Sequence, residues 1–82
     1  MTTLIYLGRL ADVAGTSEEQ LDLPDTIKTT DDLRAWLNTR FSSPTPAFDQ
    51  SVRIALDSEI CVEPASLGTA IEIAFLPPVG GG

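Results

Sequence analysis

The residues with most to offer chemically are the last six, Pro77-Pro78-Val79-Gly80-Gly81-Gly82. The sequence closes on Gly82, so the group expected there is a free α-carboxylate on a residue without a side chain. Two prolines hold φ at about −65° and favour an extended, semi-rigid start. The three glycines carry no Cβ, so the tip can thread a slot too narrow for any other residue. Together these features suggest an arm that reacts at its end, inside another protein's active site. Terminal glycines alone are equally compatible with a frayed end.

The rest of the chain offers little competing chemistry. It has no histidine, the commonest agent of acid–base work near neutral pH. One cysteine and no histidine exclude a zinc site of the usual ligand type. Cys61 sits between Ile60 and Val62 with Glu59 and Glu63 nearby, surroundings that raise a thiol pKa. It is expected to be a small, half-buried structural residue. Asp31-Asp32 fit the first turn of a helix better than a metal site, and Glu18, Glu19 and Asp22 are expected on a solvated face. Gly8, Gly15 and Gly68 have neither the spacing nor the lysine of a phosphate loop. Trp36, at helical spacing, is expected in the core. By elimination, the distinctive reactive group is the carboxylate of Gly82.

Composition sets the frame around that tail. Eighty-two residues make one domain, which buries roughly 60–65% of its unfolded surface on folding. A hydrophobic content of 43% is ordinary for a globular chain. No apolar run approaches the ~18 residues of a membrane span, and no signal peptide is evident. With a single cysteine the chain needs no oxidising compartment, and the cytoplasm is the expected location. Twelve acidic against five basic groups give a net charge of −7, which disfavours nucleic acid. The same charge suits a partner with a basic docking face.

The elements that must position the tail follow from periodicity. Thr2–Gly8 reads as a strand, Arg9–Gly15 as a turn of helix stopped by Gly15, and Thr16–Leu23 as a half-exposed strand with Leu21 and Leu23 on one face. The clearest helix spans Asp31–Phe41, capped by Thr29 or Thr30. Its apolar stripe is Leu33, Trp36, Leu37 and Phe41, with Arg34 and Arg40 on the other faces. Pro44 and Pro46 place Ser42–Gln50 in a surface loop. Val52, Ile54 and Leu56 alternate as a strand, Asp57-Ser58 makes a tight turn, and Glu59–Val62 returns as a short strand. After a loop over Glu63–Gly68, Ala70–Leu76 forms the last strand with Ile71, Ile73 and Phe75 on one face.

This order predicts an α+β fold: a mixed sheet of about five strands with one main helix packed on one face. Parallel pairing of the first and last strands makes it a β-grasp, the ubiquitin-like architecture. A ferredoxin-like split βαβ needs a second full helix, for which Glu63–Gly68 is too short. The expected domain is residues 1–76, with residues 77–82 as a functional tail.

The run Ile71-Glu72-Ile73-Ala74-Phe75-Leu76-Pro77-Pro78-Val79-Gly80-Gly81-Gly82 resembles the end of the small subunit of molybdopterin synthase. Members of that family close with a strand, an aromatic, two prolines, valine, a variable residue and Gly-Gly. Tyr6-Leu7-Gly8-Arg9-Leu10-Ala11 through Gly15, and the helix after Pro24, are similar too. Departures are Ile71, where the family often has an acid, and Gly80, where a larger residue is common.

The resemblance implies a sulfur carrier that is catalytic only within its complex. An E1-like adenylating enzyme would use ATP to activate the Gly82 carboxylate, and a sulfur donor enzyme would convert it to a thiocarboxylate. The large subunit of molybdopterin synthase, in a heterotetramer, would pass that sulfur to a pyranopterin precursor to build the molybdopterin dithiolene. No cofactor is expected on this chain itself, nor any metal, nucleic acid or membrane contact. Phe75, Leu76, Pro77, Pro78, Val79, Gly80 and Gly81 are then the expected partner-binding residues, with the apolar ones acting as anchors. A carrier for thiamine or another thio-metabolite shares fold and Gly-Gly, but such carriers are usually shorter and lack the double proline. A ubiquitin-like modifier joined to lysines through Gly82 also begins with adenylation, and an inert binding module remains a further alternative.

Overall fold

The computed structural model of the protein describes residues 1–42 and 46–78. Five strands form one mixed sheet in the order β2-β1-β5-β3-β4: β1 Thr2–Tyr6, β2 Glu18–Leu21, β3 Arg53–Leu56, β4 Glu59–Ile60 and β5 Glu72–Leu76. A short helix α1, Leu10–Ala14, joins β1 to β2, and the main helix α2, Thr30–Arg40, follows β2. β1 and β5 run parallel at the centre, with Thr3 opposite Glu72 through Tyr6 opposite Phe75. The predicted β-grasp is the observed fold.

One face of the sheet makes the core. Leu4, Tyr6, Ile54, Ile73 and Phe75 point to that side and pack against Leu33 and Leu37 of α2. Alternation along each strand puts these residues on a common face, and the stripe at i, i+4 on α2 meets them. Each fully buried large apolar side chain contributes about 1.5–3 kcal/mol relative to exposure. Helix α2 begins with a capping box. The Thr29 hydroxyl accepts from the Asp32 amide at 3.1 Å, and the Asp32 carboxylate accepts from the Thr29 amide at 3.2 Å. Gly15, in the left-handed region with φ 79°, closes α1.

Four expectations are corrected. The second strand is only Glu18–Leu21, so Leu23 packs on the core from the loop beyond it. The loop after α2 is not merely surface, because Phe48 is buried in the core. Its backbone is held by Asn38, whose side chain accepts from the Phe48 amide at 2.9 Å. Arg34 is not on an outer face but 6% exposed. Its guanidinium donates to the Glu63 carboxylate at 2.6 and 3.1 Å, to the Val52 carbonyl at 2.7 Å and to the Asp49 carbonyl. Finally Ile71 precedes β5 and is 68% exposed, since the Ile71 and Glu72 amides bend to donate to the Asp57 carboxylate, both at 2.9 Å. The β3–β4 turn is the expected Asp57-Ser58, with φ of 49° and 74°. That pair of left-handed residues matches the twist of a two-residue hairpin.

Candidate functional site

Pro77 and Pro78 follow directly on β5, the central strand of the five, which pairs with β1 on one side and β3 on the other. Beneath the end of β5 lies an aromatic cluster. Tyr6 stacks on Phe75 at 5.6 Å between centroids, and Phe48 meets Phe75 edge-on at 5.4 Å and Tyr6 at 6.0 Å. Phe41 closes the group against Tyr6 at 5.8 Å. Such pairs add about 0.5–1.5 kcal/mol each beyond burial, so the root of the tail is stiff.

Of the expected partner-binding residues, Phe75 is fully buried and offers no surface to a partner. It is the root that holds the tail, a correction that follows from strand parity with Ile73. Leu76 and Pro77 are half-buried and Pro78 is exposed. Val79, Gly80, Gly81 and the expected catalytic Gly82 lie outside the described residues.

A polar clamp locks the cluster from the β2 side. Glu19, opposite Leu4 in the β1–β2 ladder, faces inward rather than onto a solvated face. It accepts from the Tyr6 hydroxyl at 2.6 Å and from both terminal nitrogens of Arg40 at 2.6 and 2.9 Å. The Arg40 guanidinium, with help from the phenol, holds the Glu19 carboxyl below its ordinary range. Burial, and then the neighbouring carboxylate, pushes the Tyr6 phenol far up, so it stays neutral. Arg40 also lies over the Trp36 ring at 5.2 Å and the Phe41 ring at 4.8 Å. Trp36 is half-buried at the edge of the core rather than within it.

Opposite the face that packs with residues of α1 and α2 in the core lies the second face of the sheet. Across it runs a straight row of apolar residues, Ile5 opposite Ala74, Ala74 opposite Ala55, and Ala55 opposite Ile60. Residues opposite one another share a face. Ile60, on the edge strand, is 53% exposed, and Leu7 beside the tail root is also exposed. Leu76 and its partner Arg53 continue the same face towards the tail. Periodicity in the sequence reveals which strand residues oppose the core. It cannot reveal this row, which depends on register between distant strands.

Other candidates for chemistry are weak. Burial, and then Glu63, raises the Cys61 thiol above its ordinary pKa, and the thiol donates to the Ile54 carbonyl at 3.4 Å. Among the described residues no group of three His, Cys, Asp or Glu could hold a metal ion. Every side-chain nitrogen or oxygen buried among them has a partner. A groove of about 650 Å³ is lined by Thr2, Lys28, Leu67 and Ile73 among others. It opens at the starting ends of β1 and β5, away from the tail.

A protein-family model for the ThiS family matches residues 4–82. The chain belongs to the ThiS family. Among curated proteins none matches the sequence. Solved structures do. A Pyrococcus furiosus protein described as molybdopterin converting factor, subunit 1, is 22% identical with a TM-score of 0.71, over 95% of this chain and 97% of that one. The small archaeal modifier protein 1 of Haloferax volcanii is 19% identical with a TM-score of 0.69, over 95% and 97% of the two chains. The protein of the same name from Methanosarcina acetivorans is 20% identical with a TM-score of 0.68, over 99% and 95%. These likenesses establish the fold. The chain is therefore a sulfur carrier of the ThiS family with a ubiquitin-like fold. None of its described helices is long and apolar enough to cross a membrane.

Proposed function

We propose that the protein is the sulfur-carrying small subunit of a molybdopterin synthase, with Gly82 as the reacting residue. The observation that carries this proposal is the continuity of the central, doubly paired β5 into the sequence Pro77-Pro78-Val79-Gly80-Gly81-Gly82. The domain then acts as a handle. The aromatic root fixes where the tail starts, and the apolar row, half-buried at Ile5 and Ala74, buried at Ala55 and exposed at Ile60, offers partner enzymes its open end. An acidic chain of net charge −7 favours partners whose docking faces are basic.

Chemically, a carboxylate is a poor acceptor until its oxygen is turned into a leaving group. The Gly82 carboxylate attacks the α-phosphorus of ATP on an E1-like enzyme, releasing pyrophosphate. Hydrosulfide supplied by a donor enzyme then attacks the acyl carbon, and the C–O bond to AMP breaks, leaving a thiocarboxylate and free AMP. Glycine leaves the carbonyl carbon open on both sides, and Gly81 lets the chain pass close to the partner's backbone. On the large synthase subunit the thiocarboxylate sulfur would be delivered to the pyranopterin precursor.

ATP–pyrophosphate exchange by the adenylating enzyme tests this step. The full chain should stimulate exchange, and a chain lacking Gly81-Gly82 should not. Rescue of molybdenum-cofactor synthesis in cells lacking the small synthase subunit tests the pathway, and rescue of thiamine auxotrophy alone would reject it. The structural likeness to archaeal modifier proteins favours a second function, conjugation to lysines through Gly82. Gly82–lysine isopeptides on many cellular proteins, without thiocarboxylate, would establish that function in place of the first.

A further inference from the structure

The tail needs a direction as well as a root, and the structure contains a contact suited to setting it. Pairing between β1 and β5 is extended by one bond beyond Tyr6, the Leu7 amide donating to the Phe75 carbonyl at 3.2 Å. The next residue, Gly8, turns away with φ +55°. A Cβ placed on Gly8 would lie 3.0 Å from Cγ of Pro77 and 3.9 Å from its Cδ. Ordinary carbon contacts are about 3.5–4.0 Å, so the proline ring occupies the space a side chain at position 8 would need. Because the ring also fixes φ of Pro77, seating the ring orients the backbone that follows it.

We infer that Gly8 is a positioning residue: its bare Cα seats the Pro77 ring, and this seat sets the direction in which the tail leaves the sheet. The importance of that direction rests on the proposed function, since a partner slot accepts the tail along one line. The seat itself does not depend on it. A left-handed φ is a second reason for glycine at position 8. Gly15 separates the two, since it has φ +79° but nothing within 4 Å of a Cβ placed there. Gly15→Ala therefore carries the left-handed penalty without the contact.

The experiment uses the full chain and four variants: Gly8→Ala, Gly15→Ala, Pro77→Ala and the Gly8→Ala/Pro77→Ala pair. The first readout is NMR. The wild type should show a nuclear Overhauser contact between the Gly8 α protons and the Pro77 ring. Gly8→Ala should shift the amide resonances of residues 79–82, whereas Gly15→Ala should leave them in place. In the pair, those resonances should match Pro77→Ala alone, because both ring atoms that the added methyl group would meet are gone. The second readout is kcat/KM for adenylation. Gly8→Ala should lower it roughly three- to tenfold, Gly15→Ala should stay within about twofold, and adding Gly8→Ala to Pro77→Ala should cost nothing further.

Absence of the wild-type Overhauser contact overturns the inference, even if Gly8→Ala does not fold. So does equal behaviour of Gly8→Ala and Gly15→Ala, or an effect of Gly8→Ala that persists once Pro77 is alanine. Should the wild type never be adenylated, the proposed function fails while the NMR arm still decides the seat.

Discussion

Replacing Arg34 by leucine should damage this protein more than any other change to a charged residue. The guanidinium, 6% exposed, joins α2 to the start of β3 and to the loop carrying Glu63. Leucine preserves much of the side-chain volume but removes every donor. The Asp49 carbonyl keeps a partner, since it also accepts from the Val52 amide at 3.0 Å. The Val52 carbonyl does not, and a buried acceptor left alone costs about 1–3 kcal/mol. The Glu63 side chain, 17% exposed, loses its cation, and removing one member of a buried ion pair typically costs about 3–5 kcal/mol in all. A total of about 3–5 kcal/mol compares with about 4–12 kcal/mol for the stability of a domain this size. Urea unfolding followed by Trp36 fluorescence measures it, and with m of about 1 kcal/mol/M the midpoint should fall by at least about 3 M. Glu63→Gln keeps an acceptor for the fork and should cost less than half as much. Arg34→Leu within about 1 kcal/mol of wild type would show that this network holds nothing together.

Three further outcomes follow from other parts of the structure. Glu19→Gln should destabilise the protein by about 1–2 kcal/mol near neutral pH, by weakening the clamp on Arg40 and Tyr6. Because Arg40 lowers the Glu19 carboxyl in the folded state, the difference between wild type and variant should hold above the ordinary glutamate pKa of about 4.3. It should shrink as pH falls through the lower folded value, which denaturation at stepped pH will show. Cys61, its thiol raised by burial and by Glu63, should react with a disulfide reagent several-fold more slowly than a free cysteine at pH 7.5, the gap closing in urea; equal rates would contradict the assigned environment. Ile60→Asp should leave stability within about 0.5 kcal/mol yet raise KM for adenylation, and an unchanged KM would remove the open sheet face from the docking surface.

Much of this was legible in the chain. The α2 stripe and its Thr29 cap were readable because helix periodicity and capping chemistry are local. So were the Asp57-Ser58 turn and the last strand, and element order was enough to suggest parallel pairing of β1 with β5. The misses are long-range. Arg34 looks like an outer-face residue by helical arithmetic, but the loops over Asp49–Val52 and Glu63 fold over that flank of α2 and bury it. Phe48 stands among Asp, Gln and Pro without periodicity, so nothing local marks it as core. Glu19 did carry a signal: it shares parity with Leu21, which puts it on the inner face of β2. The seat between Gly8 and Pro77 joins residues 69 positions apart in sequence and has no local trace. Of the candidate site, the tail's composition was evident, and the buried role of Phe75 needed the register.

The central claim concerns one carbonyl carbon, that of Gly82. Intact-mass analysis of the protein after incubation with an adenylating enzyme, ATP and a sulfur donor tests it most directly. The account predicts a gain of about 16 Da, sulfur in place of oxygen, confined to the C-terminal peptide and abolished when Gly82 is deleted. An unchanged mass, or a gain that survives the deletion, would contradict it.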